Sequence, residues 1–113
     1  MKNENSVRLR HILEAVSQIQ DYVQGFDETK FGQDRKTQDA IIRQLEIIGE
    51  ASKNLTAELR KANPQIPWKQ ASGIRDRLAH GYFNIKLSIV WDTVKNDLPT
   101  LKTEVEKILE NLI

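Results

Sequence analysis

Apolar residues recur at three- and four-residue steps along almost the whole chain, and no stretch of useful length alternates in the two-residue period of a strand. That pattern restricts the fold to packed helices. Leu9, Ile12, Leu13, Val16, Ile19, Val23 and Phe26 form a first stripe, with Ser6 expected as its N-cap and Gly25 as its stop. A turn around Asp27 to Gly32 precedes a long second helix carried by Ile41, Leu45, Ile48, Ser52 and Leu55. Gly49 lies inside it, where glycine costs about 1 kcal/mol relative to alanine, so it reads as a point of close helix approach. A short helix is expected from Thr56 to Ala62, and Pro64 and Pro67 then break the pattern. Trp68 to Leu78 reads as another helix, with Pro67 suited to its first turn and Gly81 to a left-handed cap. From Ser88 onward, Val94, Leu98, Leu101, Val105, Ile108 and Leu112 alternate as in a helix–helix seam, which Pro99 should kink or split. The expected fold is all-α, a compact up-and-down helical bundle forming a single domain over residues 1–113.

The chain has 113 residues and no cysteine, which removes disulfide frameworks and thiolate metal sites and fits a reducing cytosol. No apolar run follows the charges of the first ten residues, and none is long enough to span a bilayer. The expectation is a cytoplasmic protein with no membrane contact. Charge is distributed unevenly. Between Arg60 and Lys86 there are six basic residues (Arg60, Lys61, Lys69, Arg75, Arg77 and Lys86) against one acid, Asp76. That local excess exceeds the net charge of +1 for the whole chain, so one face should attract a polyanion.

Within this zone, Arg75-Asp76-Arg77-Leu78-Ala79-His80-Gly81-Tyr82 concentrates groups that handle phosphate. Cleaving RNA without a metal needs a base for the ribose 2′-OH, an acid for the leaving 5′-oxygen and a cation for the phosphorane. Histidine can serve either proton transfer, and arginine matches phosphate oxygens in a bidentate fork. His80 is one of only two histidines. Asp76 precedes it by one helical turn and could orient the imidazole; Arg75, five residues away, converges with it only if the helix ends near His80 or the arginine reaches across. A helix-terminal histidine is also a common cap, and Arg–Asp pairs are commonly solvated. On spacing alone, the structural reading outweighs the catalytic one.

Resemblance reverses that order. Arg75, His80 and Tyr82 match the R-x-x-x-x-H-x-Y signature of HEPN-domain ribonucleases, and GIRDRLAHGYFNIKLSIVWDTVKNDLP resembles their HepT-like toxin branch. RQLEIIGEASKNL, from Arg43 to Leu55, is similar to that branch's helix with a Gly-Glu-Ala step. Asp76 stands where many HEPN members carry asparagine. The resemblance implies an all-α homodimer whose paired motifs face a shared basic cleft. It implies a metal-independent endoribonuclease toxin of a type VII-like toxin–antitoxin system, with tRNA among its candidate substrates. The partner is a minimal, MntA-like nucleotidyltransferase antitoxin that attaches AMP to the motif tyrosine. Carried over, Arg75 and His80 are the catalytic pair, Asp76 and Tyr82 position substrate, and Tyr82 is the AMPylation site. No cofactor and no metal are implied.

The remaining candidates have plain readings. His11 has no second ligand-type residue nearby and reads as a surface or interface histidine. Glu46 and Glu50 share a helical face with Arg43, as local ion pairs or as the lining of a dimer cleft, the ion pairs being favoured. Trp68 and Trp91 are expected packing anchors. Gly25 and Gly32 belong to no phosphate-binding loop. Two alternatives stand beside the ribonuclease: a non-catalytic HEPN module binding nucleotide or a partner protein, and a plain helical dimerisation domain.

Overall fold

The structure, a computed structural model, describes residues 4–73 and 86–112. Three long elements carry the core: α1 (Glu4–Tyr22), α3 (Arg35–Lys53) and α7 (Leu98–Leu112). Shorter helices fill the connections: α2 (Glu28–Gln33), α4 (Ala57–Ala62), α5 (Trp68–Ser72) and α6 (Leu87–Asp92). A π turn, Thr93–Asp97, joins α6 to α7 without a break. No strand occurs among the described residues.

The predicted stripes supply most of the core, although Leu13, Val23, Phe26 and Leu101 are half-buried and Leu112, at the end of the last stripe, is 41% exposed. Leu9, Ile12, Val16 and Ile19 of α1 meet Ile41, Leu45 and Ile48 of α3, all at 0% exposure. Each large aliphatic side chain buried in this way contributes about 1.5–3 kcal/mol. Val105 and Ile108 of α7 close the same core. Asn5 and Thr56 tie the start of α1 to the end of α3, so the two helices run antiparallel; the Asn5 amide donates to Thr56 Oγ1 at 3.0 Å and accepts from the Thr56 N–H at 3.1 Å. Thr56 Oγ1 also accepts from the Leu59 N–H at 3.2 Å and so caps α4. At the other end of α1, Lys102 of α7 donates to Gln20 at 3.3 Å, which sets α7 antiparallel to α1.

Several local expectations are corrected. Helix α1 begins at Glu4, so Ser6 sits inside its first turn and is not the N-cap. The helix ends at Tyr22, and Gly25 supplies the left-handed residue of the following turn at φ 77°. The expected turn at 27–32 is largely helical. Asp27 caps α2 through the Lys30 N–H at 2.7 Å, and Phe31 buries itself at 1% exposure. Asp34 then closes α2 with its own N–H, donated to the Phe31 carbonyl, and opens α3 by accepting from the Thr37 N–H.

Pro99 does not divide the last segment. It lies in the first turn of α7, directly after the π turn, where the Leu98 N–H donates five residues back to the Thr93 carbonyl. Proline lacks an N–H and crowds the turn before it. Widening that turn by one residue absorbs the clash while the helix continues. The helix expected from Trp68 to Leu78 instead ends at Ser72, with Gly73 as its C-cap, and Gly81 lies outside the described residues.

Candidate functional site

Arg75, Asp76, His80 and Tyr82 all lie outside the described residues. The helices on either side of that segment are described, and each is fixed by a tryptophan. On the entry side, Trp68 is 8% exposed and its indole N–H donates to the Asn63 carbonyl at 2.9 Å. Ser72 Oγ donates back to the Trp68 carbonyl at 2.7 Å, closing the single turn of α5, which packs on α3. On the exit side, Trp91 of α6 meets Phe31 of α2 with ring centroids 5.3 Å apart. Both tryptophans are the packing anchors expected of them.

Four of the six basic residues of the positive zone are described. Lys61, Lys69 and Lys86 are exposed and Arg60 is half-buried. None of the four forms an ion pair among the described residues. Their charge is therefore uncompensated locally, which suits a polyanion.

Two concave surfaces flank the core. The larger, about 510 Å³, runs between α1 and α3 over a floor of Val7, Ile47 and Ala51. Arg8 and Arg43 face it together with Glu4, Glu46 and Glu50, two guanidinium groups against three carboxylates, so it is not the positive zone. Exposed His11 stands on its edge, in the surface position expected of it. The favoured local pairing of Arg43 is not found: neither Arg43 nor Glu46 forms an ion pair among the described residues. Both side chains project into the groove instead of along the helix.

The smaller hollow, about 200 Å³, lies between α5 and the π turn with the start of α7. Its polar wall includes Gln70, Asn96, Asp97 and Glu104, and no lysine or arginine is among the described residues that line it. Nothing in the sequence pattern singled out these residues. They come from segments more than twenty residues apart, and they meet only because the π turn rotates one helix face relative to the next. Pro99 is the one signal in the sequence, and it marks a change of helical register instead of a split. Among the described residues, no three His, Asp or Glu side chains are grouped so as to hold a metal ion.

The sequence model of the family described as "HepT-like: Ribonuclease HepT-like" matches residues 12–108. The chain belongs to this HepT-like family. It is 42% identical over 108 residues to "Probable ribonuclease HepT" of Thermococcus cleftensis, covering 96% of this chain and 98% of that protein. It is 43% identical over 112 residues to "Gamma-glutamylcyclotransferase and putative RNase MJ0434" of Methanocaldococcus jannaschii, covering 99% of this chain. This chain spans only 50% of that second relative's length. No solved structure matches. The family match runs through both segments on which the HepT-like resemblance rested, Arg43 to Leu55 and the Arg75–Tyr82 motif. No helix among the described residues of this HepT-like chain is long and apolar enough to cross a membrane.

Proposed function

We propose that this chain is a metal-independent endoribonuclease toxin in which Arg75 and His80 carry the chemistry. The observation that supports the reading most is the R-x-x-x-x-H-x-Y motif, Arg75 to Tyr82, within a chain 42% identical to a protein named "Probable ribonuclease HepT" across 98% of that protein. In the reaction the ribose 2′-oxygen attacks the adjacent phosphorus and the bond to the 5′-oxygen breaks. A base accepts the 2′ proton and an acid supplies one to the leaving oxygen. His80 serves as a proton-transfer group, Arg75 neutralises the phosphorane, and Asp76 orients the imidazole. One motif offers one histidine for two proton transfers. A homodimer with two motifs facing a common cleft supplies the pair. The unpaired cations Lys61, Lys69 and Lys86 favour RNA over a neutral ligand.

Control falls to Tyr82. A minimal nucleotidyltransferase partner joins the phenolic oxygen to the α-phosphorus of ATP, releasing pyrophosphate and the phenolic proton. The added AMP brings anionic phosphate and bulk against cations meant for RNA.

The direct test uses purified protein and total RNA. His80→Ala and Arg75→Ala should each lose about two to four orders of magnitude in cleavage rate, the scale of acid–base and charge-stabilising groups. Equal activity in His80→Ala removes the catalytic assignment. Co-expression with the nucleotidyltransferase should add AMP-sized mass to wild type and none to Tyr82→Phe, with Tyr22 as the internal control. Equal gain in both proteins removes the regulatory assignment. Light scattering should report a dimer at micromolar concentration; a fully active monomer contradicts the shared cleft.

A further inference from the structure

The hollow between α5 and the π turn has a chemistry that phosphate binding does not use. Its floor is apolar, built from Ile66, Ala71, Leu98 and Leu101, and its wall presents amides, hydroxyls and carboxylates, with no lysine or arginine among the described lining residues. A phosphate placed there would face the Asp97 carboxylate, which has no cationic partner among the described residues, whereas Lys107 already pairs with Glu104 at 3.6 Å. A flat, neutral ring with N–H donors on its edge meets complementary groups instead.

The existing hydrogen bonds narrow the fit. Glu104 is already engaged, by the Gln65 amide at 3.3 Å and by Lys107 at 3.6 Å. Asn96 donates one amide hydrogen to Asp92, which leaves its second N–H and its carbonyl oxygen free to offer. Asp97 and Gln70 have neither a hydrogen bond nor an ion pair among the described residues. The open groups are thus the Asp97 carboxylate, the Gln70 amide, the Thr100 hydroxyl and the Asn96 carbonyl oxygen with its second N–H, a wall whose one charged open group is an acceptor. A volume of about 200 Å³ matches one heterocycle, being the share of about six or seven liquid waters.

Position links the hollow to the motif. Ala71, in its floor, is four residues before Arg75 in the chain, and four residues span at most about 14 Å. One bound RNA strand can touch both.

We infer that this hollow takes a single unpaired RNA base bearing an exocyclic amino group (adenine, cytosine or guanine) and sets the base preference beside the cleaved phosphate. The inference takes its substrate class from the ribonuclease reading. Protein–RNA specificity generally comes from splayed single-stranded bases read on their edges, with carboxylates accepting from amino groups and amides pairing with adenine. Uracil presents carbonyl oxygens where this wall also presents oxygens, so it is the disfavoured base.

The test has a binding arm and a cleavage arm. In the first, His80→Ala protein is titrated with fluorescein-labelled single-stranded oligomers of adenylate, cytidylate and uridylate. Adenylate and cytidylate should bind about tenfold more tightly than uridylate. The ratio should fall to within about twofold when Gln70→Ala and Asp97→Ala are added. Both side chains are exposed, so their truncation leaves the core intact. Equal binding of the oligomers, or a ratio unchanged by the two substitutions, overturns the inference. In the second arm, cleavage sites are mapped for wild type and Asp97→Asn. Base-selective binding without cleavage leaves the hollow standing and defeats the ribonuclease. Cleavage with site preference untouched by Asp97→Asn does the reverse, and the absence of both RNA binding and cleavage defeats both.

Discussion

The α1/α3 groove and the α5/π-turn hollow are made from the same kind of helix, yet they differ in origin and in chemistry. The groove follows two regular, antiparallel helices whose polar faces line it with charges of both signs, two guanidinium groups against three carboxylates. The hollow exists because a helix is irregular. Pro99 forces a π turn, and the turn brings Asn96 and Asp97 opposite Gln70. Regular helices thus produced a mixed-charge surface with no preference for a polyanion, and one register change accompanies a small polar hollow whose floor residue Ala71 lies four residues before Arg75 in the chain.

Both surfaces hang on the shared core, and the largest effect should come from there. Ile48→Ala, at a fully buried position of α3, should cost about 2–5 kcal/mol. A urea titration should show a lower midpoint with an unchanged slope, and groove and hollow lost together. A cost under about 1 kcal/mol would mean that the α1–α3 seam is not the common support.

Pro99→Ala separates the two surfaces. Alanine restores an N–H and removes the ring clash, and Pro99 is exposed, so little packing is lost. Stability should rise by up to about 3 kcal/mol, the full difference between proline and alanine in a helix interior. Base selectivity should weaken while the groove is unaffected. A falling melting temperature would show that the π turn is held by more than its proline. Thr56→Ala acts on the groove's end instead, removing the cap of α4 and half of the Asn5 clasp. It should cost about 1 kcal/mol, read as a drop of a few degrees in melting temperature, with base selectivity retained.

The smallest effect concerns salt. Replacing Lys61, Lys69 or Lys86 by Gln should each lower the slope of log K for single-stranded RNA against log salt by about 0.7. Arg43→Gln, in the charge-mixed groove, should leave the slope unchanged. Equal changes from both kinds of substitution would erase the distinction between the positive zone and the groove.

The helices were legible because burial follows a period: the stripes of α1, α3 and α7 hold most of the buried residues, and the period fails where α7 ends, at exposed Leu112. Short elements were not. Helix α2 spans six residues and contains Gly32; beyond its local Asp27 cap it is held by burial of Phe31 against Trp91, a contact sixty residues away in the chain that no local window contains. Ser6 has the residue type of a cap, yet the helix reaches past it to Glu4. Arg43 and Glu46 have the spacing of an ion pair, but the groove gives their side chains another direction. The motif itself is visible in the sequence as residue types in order, Arg75, His80 and Tyr82, and lies outside the described residues. The hollow was not legible, because Gln70 and Asp97 are brought together only by tertiary packing and a widened helical turn.

The central claim is that RNA is cleaved through its own 2′-hydroxyl with His80 moving protons and no metal taking part. The most direct measurement is the chemistry of the new RNA ends made by wild-type protein in EDTA, with His80→Ala alongside. The account predicts 2′,3′-cyclic phosphate and 5′-hydroxyl termini from wild type, and their loss in the variant. Cleavage that requires a divalent metal, or that leaves 5′-phosphate ends, would contradict it.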